Sequence, residues 1–261
     1  MIFLSWKRYC SKIISEIYSL KTQITGNRPG FRILMYHSVR DGELYDKSLD
    51  PNGIFTVKPK MFKTQVEQLK YGNLYKLASL SGGLGLLGSN REIVAITFDD
   101  GYKDNLYFVA PLLVENGIPF TVFVTTDLSK NNKKDILQPL EIRELSKMPG
   151  VEIGSHGVTH RRLKELDDTE LIDELVTSKK YLEDIIGKEV TSMSYPHGSF
   201  DKRVQRAVGG VGYKIAANSY FSLNNISSNH YSFARTSIWS DDTIRTFSQK
   251  LCGGWDWYCW R

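Results

Sequence analysis

The sequence predicts an α/β fold in which about seven mostly parallel strands form a barrel with helices outside. Three observations predict it. Strand-like and helix-like segments alternate from residue 31 to residue 251, the pattern of a parallel sheet covered by helices. The strand-like segments are short apolar runs, as buried strands require. About seven such runs occur, which suits a closed barrel better than a small open sheet.

Each element has a local reason. Residues 31–36 form an apolar run after the glycine-flanked stretch from Gly26 to Gly30. Pro59–Lys70 reads as a helix, with Phe62, Val66 and Leu69 on one face and Pro59 suited to its first turn. Residues 93–98 are a buried strand, 105–115 a helix stopped by Gly117, and 120–125 a strand. Residues 139–147 read as helical and 151–154 as a short strand. The clearest helix is 167–186: Asp167 and Glu170 have capping-box spacing, and Leu171, Leu175, Leu182 and Ile186 form its apolar stripe. Then come strand 190–195, helix 201–208, strand 213–217, strand 233–238, and a last helix at 241–251 before Gly253.

A chain of 261 residues suits one large domain better than two. Three segments are expected: an amphipathic helical segment at 1–30, the main domain at 31–251, and a Trp-rich tail at 252–261. In the first segment, apolar residues at 2, 3, 6, 9, 13, 14, 17 and 20 recur at helical spacing. Two readings stand: a helix packed on the domain, or a basic helix lying on a membrane surface. The apolar run there is cut by Lys7 and Arg8, too early for a secretory signal. The expected location is therefore the cytoplasm, including the inner membrane face. The net charge of +5 is scattered and lacks a basic patch interleaved with aromatics, so nucleic acid is not an expected partner. Three cysteines, Cys10, Cys252 and Cys259, do not make a disulfide scaffold, although a Cys252–Cys259 bridge stays open.

Polar clusters fall just after strands: Tyr36-His37-Ser38, Asp99-Asp100-Gly101, Ser155-His156 and Pro196-His197-Gly198. In parallel α/β proteins that position carries the active site, so four distant segments should meet on one rim. Two adjacent carboxylates repel unless a cation binds one, leaving the other free as a base. A helix or turn cap is the competing reading of Asp-Gly. His156 and His160, four apart, share a side if their segment is one helical turn. Two His with one carboxylate suit Zn, Fe, Co or Ni and leave open positions for water and a substrate oxygen. The Tyr195 backbone N–H is a candidate oxyanion donor. His230 lies in a polar loop and reads as structural or exposed.

In order, TFDDGY, SHGVTH and YPHG resemble the motifs of the NodB-homology polysaccharide deacetylases, carbohydrate esterase family 4. The resemblance runs from about Phe31 to Leu251. It implies a distorted (β/α) barrel of about seven strands and removal of acetyl groups from an acetylated oligo- or polysaccharide. It assigns Asp99 as base and Asp100, His156 and His160 as ligands of a divalent metal, with Zn2+ first and Co2+ or Ni2+ as alternatives. It places Tyr195, Pro196 and His197 at the substrate and oxyanion side. Two features depart from the family pattern. Met193-Ser194 stand where an arginine usually steadies the base, and no late Leu-x-His follows Ile238. RILMYHSV resembles the circularly permuted branch that holds the poly-N-acetylglucosamine deacetylases, where an early histidine supplies the acid; this makes His37 the expected general acid. Arg235, in FARTSI, is the candidate partner of the base. Two alternatives follow from the departures: a non-catalytic carbohydrate-binding relative, or a metal hydrolase acting on another amide. The late tryptophans Trp239, Trp255, Trp257 and Trp260 suit either sugar stacking or packing.

Overall fold

The apolar runs become strands that pair side by side without exception in parallel. In the computed structural model, which describes residues 14–19, 29–43, 48–71, 74–131 and 133–258, the strands are β1 (Gly30–Tyr36), β2 (Ser38–Val39), β3 (Thr56–Val57), β4 (Lys76–Leu77), β5 (Glu92–Phe98), β6 (Phe120–Val124), β7 (Val151–Ser155), β8 (Ser192–Ser194), β9 (Ile215–Ala217) and β10 (Thr236–Ser237). The main sheet runs β10-β1-β5-β6-β7-β8-β9, with β4 also on β5, while β2 and β3 pair separately. β1 and β5 align over their full length, from Gly30 opposite Glu92 to Tyr36 opposite Phe98. Phe233 bridges Ala217 of β9 in parallel, and three residues later Thr236 pairs with Leu34 of β1. One short segment thus joins both edges, and the sheet curls into the distorted barrel expected.

Alternation along the strands divides the core in two. Leu34, Tyr36, Val94, Ile96 and Phe98 face the helices and join the large outer core. Phe31, Ile33, Ile93, Ala95, Phe123 and Phe233 fill a smaller cluster on the other face. That cluster is tightly packed. A Cβ on Gly154 would lie 2.5 Å from Phe123 Cδ1, so glycine is required there.

The helices follow their end signals. The helix Pro59–Lys70 has the foreseen bounds and buries Phe62, Val66 and Leu69. Asp168–Ile186 starts at the capping box: Asp167 Oδ1 accepts from Glu170 N at 2.8 Å, and the Glu170 side chain accepts from Asp167 N. It stops at Gly187 in the left-handed conformation, φ 68°. The expected helix at 105–115 is instead a π-turn, Asn105–Val109, followed by Ala110–Glu115. Pro111 lacks an N–H and cannot close the regular helical bond there. Strands expected at 190–195, 213–217 and 233–238 shorten to two or three residues, with single backbone bonds such as Tyr195 N to the Ala217 carbonyl continuing beyond their ends. β2 to β4 and the short helices Leu80–Gly85 and Thr126–Lys130 were not foreseen; such lengths show no period.

Of the N-terminal segment, residues 14–19 are described as helix. Its serines face the domain, and residues 1–13 and 20–28 of the expected helical segment lie outside the described residues. Ser15 and Ser19 are buried, Trp257 Nε1 donates to Ser15 Oγ at 3.3 Å, and Glu16 meets Arg245 and Gln249. Ile14 and Ile17 stand exposed. The described part of the tail is packed: Trp255 joins Trp239 and Phe221, and Asp256 pairs with Arg32 of β1 at 2.8 Å. Cys252 Sγ lies 3.4 Å from the Gln249 carbonyl; Cys10, Cys259 and Trp260, and with them the Cys252–Cys259 bridge, lie outside the described residues.

Candidate metal centre and active site

The C-terminal ends of β1, β5, β7 and β8 surround one cavity of about 640 Å³. His37, Asp99, Asp100, His156, His160, Tyr195, His197 and Arg235 all line it. Pro196 is buried and lies outside the lining. Three residues other than glycine have a positive φ among the described residues, and all three are here: Asp100 (71°), His160 (62°) and His197 (56°). Such backbone costs about 1–3 kcal/mol each and persists only where the surroundings enforce it.

Asp100, His156 and His160 offer ligand atoms that all lie within 4.8 Å of one another. Asp100 Oδ1 is 3.6 Å from His156 Nε2 and 3.4 Å from His160 Nε2. His156 Nδ1 sits 2.9 Å from the Ser194 carbonyl, which fixes the proton on Nδ1 and turns Nε2 inward, the usual arrangement behind a metal ligand. His156 and His160 do not share a helical turn, as the spacing implied. Their segment is a loop in which Glu174, from the long helix, accepts from Val158 N at 2.6 Å and Thr159 N at 3.2 Å. His160 reaches the cluster through its left-handed backbone instead. His197 braces it, with Nε2 3.1 Å from the His160 carbonyl and rings 4.5 Å apart.

The electrostatics fit a divalent cation. Asp100 Oδ1 is buried without a hydrogen-bond partner. Burial first, and the neighbouring Asp99 second, push its pKa well above the carboxylate range. Burial lowers both His156 and His160. Burial thus disfavours charge on all three of these side chains. Two neutral imidazoles and one carboxylate wanting positive charge are the donor set a divalent metal takes.

Asp99 has the opposite environment. Burial alone would raise its pKa, but the Arg235 guanidinium holds the carboxyl well below the usual range. Both Arg235 Nη atoms donate to the Asp99 oxygens at 2.7 Å, a bidentate pair. Arg235 is 1% exposed and also donates to the Asn218 carbonyl at 2.8 Å and Ser194 Oγ at 2.7 Å. Ser194 Oγ in turn donates to Asp99 Oδ2 at 3.2 Å. Adjacent aspartates thus hold opposite protonation tendencies through what faces each.

His37 stacks on Phe55 at 4.4 Å, and burial lowers its pKa to about 4. Tyr195 does not serve as the oxyanion donor expected from sequence. Its backbone N–H already donates to the Ala217 carbonyl at 3.0 Å, extending the β8–β9 ladder. Its hydroxyl donates to the Tyr231 carbonyl at 2.7 Å. His230 is exposed. Leu49, Phe55, Ser199, Tyr220, Arg162 and Lys164 also line the cavity. They carry no motif, and only the folded chain brings them there.

Residues 88–216 match the profile of the polysaccharide deacetylase family. That stretch, on a distorted (β/α) barrel, is similar to the polysaccharide deacetylase domain. The match takes in Asp99, Asp100, His156 and His160, while His37 and Arg235 lie outside it. Among curated relatives, the chain is 28% identical over 211 residues to the polysaccharide deacetylase-like YxkH of Bacillus subtilis (strain 168), covering 77% of this chain and 67% of that one. It is 30% identical over 121 residues to a chitin deacetylase of Pestalotiopsis sp, covering 46% of this chain and 39% of that one. The fold resembles Streptococcus pyogenes deacetylase PplD, solved with acetate: TM-score 0.75, 21% identity, 86% of this chain and 99% of the other.

Proposed function

We propose that this protein is a metal-dependent hydrolase that removes acetyl groups from an N-acetylated sugar of a polysaccharide or glycan intermediate. The observation that carries this reading is the Asp100–His156–His160 cluster with the Arg235-held Asp99 beside it in one cavity. A divalent metal on those three residues, Zn2+ by its donor set, would acidify water and polarise an acyl carbonyl.

The other steps belong to this chain's residues. Asp99 stays ionised and takes the proton of the attacking water. Arg235 and Ser194 fix its oxygens, so the geometry is preset. A carboxylate held so low is a weak base toward free water and suits only an acidified one. His37 is neutral at neutral pH and gains proton affinity as negative charge develops on the acyl oxygen. The proton that Asp99 takes from the water passes to His37, which delivers it to the leaving amine nitrogen as the C–N bond breaks, in the role of general acid. The role rests on its place in the cavity and its electrostatic coupling to Asp99. His197 acts by holding His160. The complete base-plus-ligand set favours this over a mere binding relative, which has no use for an oriented Asp99.

The test is acetate release from N-acetylglucosamine oligosaccharides by protein loaded with Zn2+ or Co2+. His156→Ala should lose the bound metal by direct metal analysis, and activity with it. Asp99→Asn should keep the metal and lose activity by about 10²–10⁴-fold. Full metal retention in His156→Ala, or full activity in Asp99→Asn, would overturn the assignments.

A further inference from the structure

The mouth of this cavity has more positive charge than its own carboxylates balance. Arg162 and Lys164 both line it and are exposed. Among the described residues, no carboxylate lies within ion-pair distance of either. Of the acidic neighbours, Glu170 is engaged by Arg161 at 2.9 Å, Asp168 by Arg203 at 2.6 Å, and Glu174 by the Val158 and Thr159 amides; Glu165 is exposed, does not line the cavity, and offsets one of the two charges only in part. Of the two cavity acids, Asp99 is committed to Arg235, and burial favours the neutral form of Asp100.

The two cations are held in place by their backbone. Leu163 between them is fully buried. Arg203 donates to the Lys164 carbonyl at 3.3 Å and to the Leu166 carbonyl at 2.7 Å. The Arg162 carbonyl accepts from Glu165 N at 3.0 Å. Ser199, 4% exposed and lining the same cavity, has a buried hydroxyl without a partner. Such a group takes its partner from water or from a ligand that enters the cavity.

We infer that the substrate carries an anionic group, phosphate or carboxylate, on or beside the N-acetylated sugar, and that Arg162 and Lys164 receive it. This rests on the deacetylase reading and narrows its substrate class. The same charges disfavour a neighbouring free amine, so a chain already deacetylated next to the site is a poor substrate. Arg supplies a planar fork for an oxyanion and Lys a point charge, and paired charges at an open rim act through attraction that salt screens.

The experiment compares kcat/KM for acetate release from three tetrasaccharides. One is neutral N-acetylglucosamine tetramer, one the same tetramer bearing a 6-phosphate, and one an alternating N-acetylglucosamine–N-acetylmuramic acid glycan with free carboxylates. At low salt at least one anionic probe should exceed the neutral one by roughly five- to tenfold, mainly through KM. The better arm identifies phosphate or carboxylate. The advantage should shrink toward unity at about 0.5 M salt. In Arg162→Gln/Lys164→Gln the anionic-to-neutral ratio should fall to near one. A wild-type ratio of one or less, or a ratio the double variant leaves unchanged, overturns the inference. Acetate release from the neutral probe tests the underlying activity separately. If no probe releases acetate, equilibrium binding of the phosphorylated and neutral tetramers to wild type and double variant decides the anion site by the same ratios.

Discussion

Two buried arginines, one beside the cavity and one beneath the C-terminal tail, hold aspartates in the same way and serve different ends. Arg235 and Arg32 are 1% and 2% exposed, and each grips a carboxylate through both Nη atoms. Arg235 holds Asp99, which is buried and faces the cavity. Arg32 holds Asp256, whose side chain is 30% exposed, and so ties the tail to β1. Their surroundings differ too. Arg235 finds further partners in Asn218, Thr97 and Ser194, whereas Arg32 adds only Thr236 and its Nε is buried without one. The ion pair itself does not make a site. What matters is whether the carboxylate is left facing a cavity with a candidate metal-ligand cluster beside it.

The largest contrast should come from Arg235→Met. Removing one partner of a buried pair costs on the order of 3–5 kcal/mol, measured by denaturant unfolding. Asp99 would then keep its burial and lose its cation, so its pKa rises. In the wild type, where that pKa is depressed, the pair's contribution is present above the ordinary carboxylate range and lost only in strong acid. The acid limb of the pH–rate profile should therefore move to higher pH in the variant. An unmoved limb would break the link between Arg235 and the base.

Next comes Arg32→Met. Asp256 is partly solvated, so the expected loss is smaller, about 1–3 kcal/mol. Acetate release per folded molecule should hold near wild type. A loss of kcat with unchanged stability would show that the tail pair also serves the cavity.

His37→Gln sharpens the comparison within the cavity. Metal content should be retained and activity should drop by about 10²-fold, read as kcat with metal analysis alongside. Retained kcat would remove His37 from the proton path.

The smallest effect is expected beside Arg32. Burial pushes Glu92 up to about 7, with Arg32 opposing and Asp256 adding to the shift. A carboxyl raised in the folded state contributes stability below its unfolded pKa and loses it as pH rises through the folded one. Stability should therefore fall between about pH 4.5 and 7, and Glu92→Gln should flatten that fall by on the order of 1 kcal/mol. An unchanged slope would place the titration elsewhere.

Much of the fold was legible because its signals are local. The capping residues Asp167 and Glu170, the face of Phe62, Val66 and Leu69, and the apolar runs at β1, β5 and β6 each declare themselves within a few residues. Short strands such as Thr236–Ser237 do not, since two residues have no period. In the site, Asp99-Asp100 and SHGVTH stood out by residue type. The helical turn on which the shared side of His156 and His160 was conditional is absent; Glu174 binds the intervening amides from 15 and 16 residues away. Spacing alone cannot see that competitor.

By itself the sequence determined the alternating barrel and the residue types of the cation cluster, because periodicity and ligand chemistry are written in neighbouring residues. Only the tertiary structure decided three things. Pairing of β1 with both β5 and β10 carries His37 into the cavity of Asp99. Arg235 reaches Asp99 across 136 positions to form its bidentate pair. The Tyr195 amide goes to Ala217 in the sheet and leaves the cavity without that donor. The reason is the same in each case: a buried polar group takes the partner the fold places nearest in space, and distance along the chain does not encode which one that is.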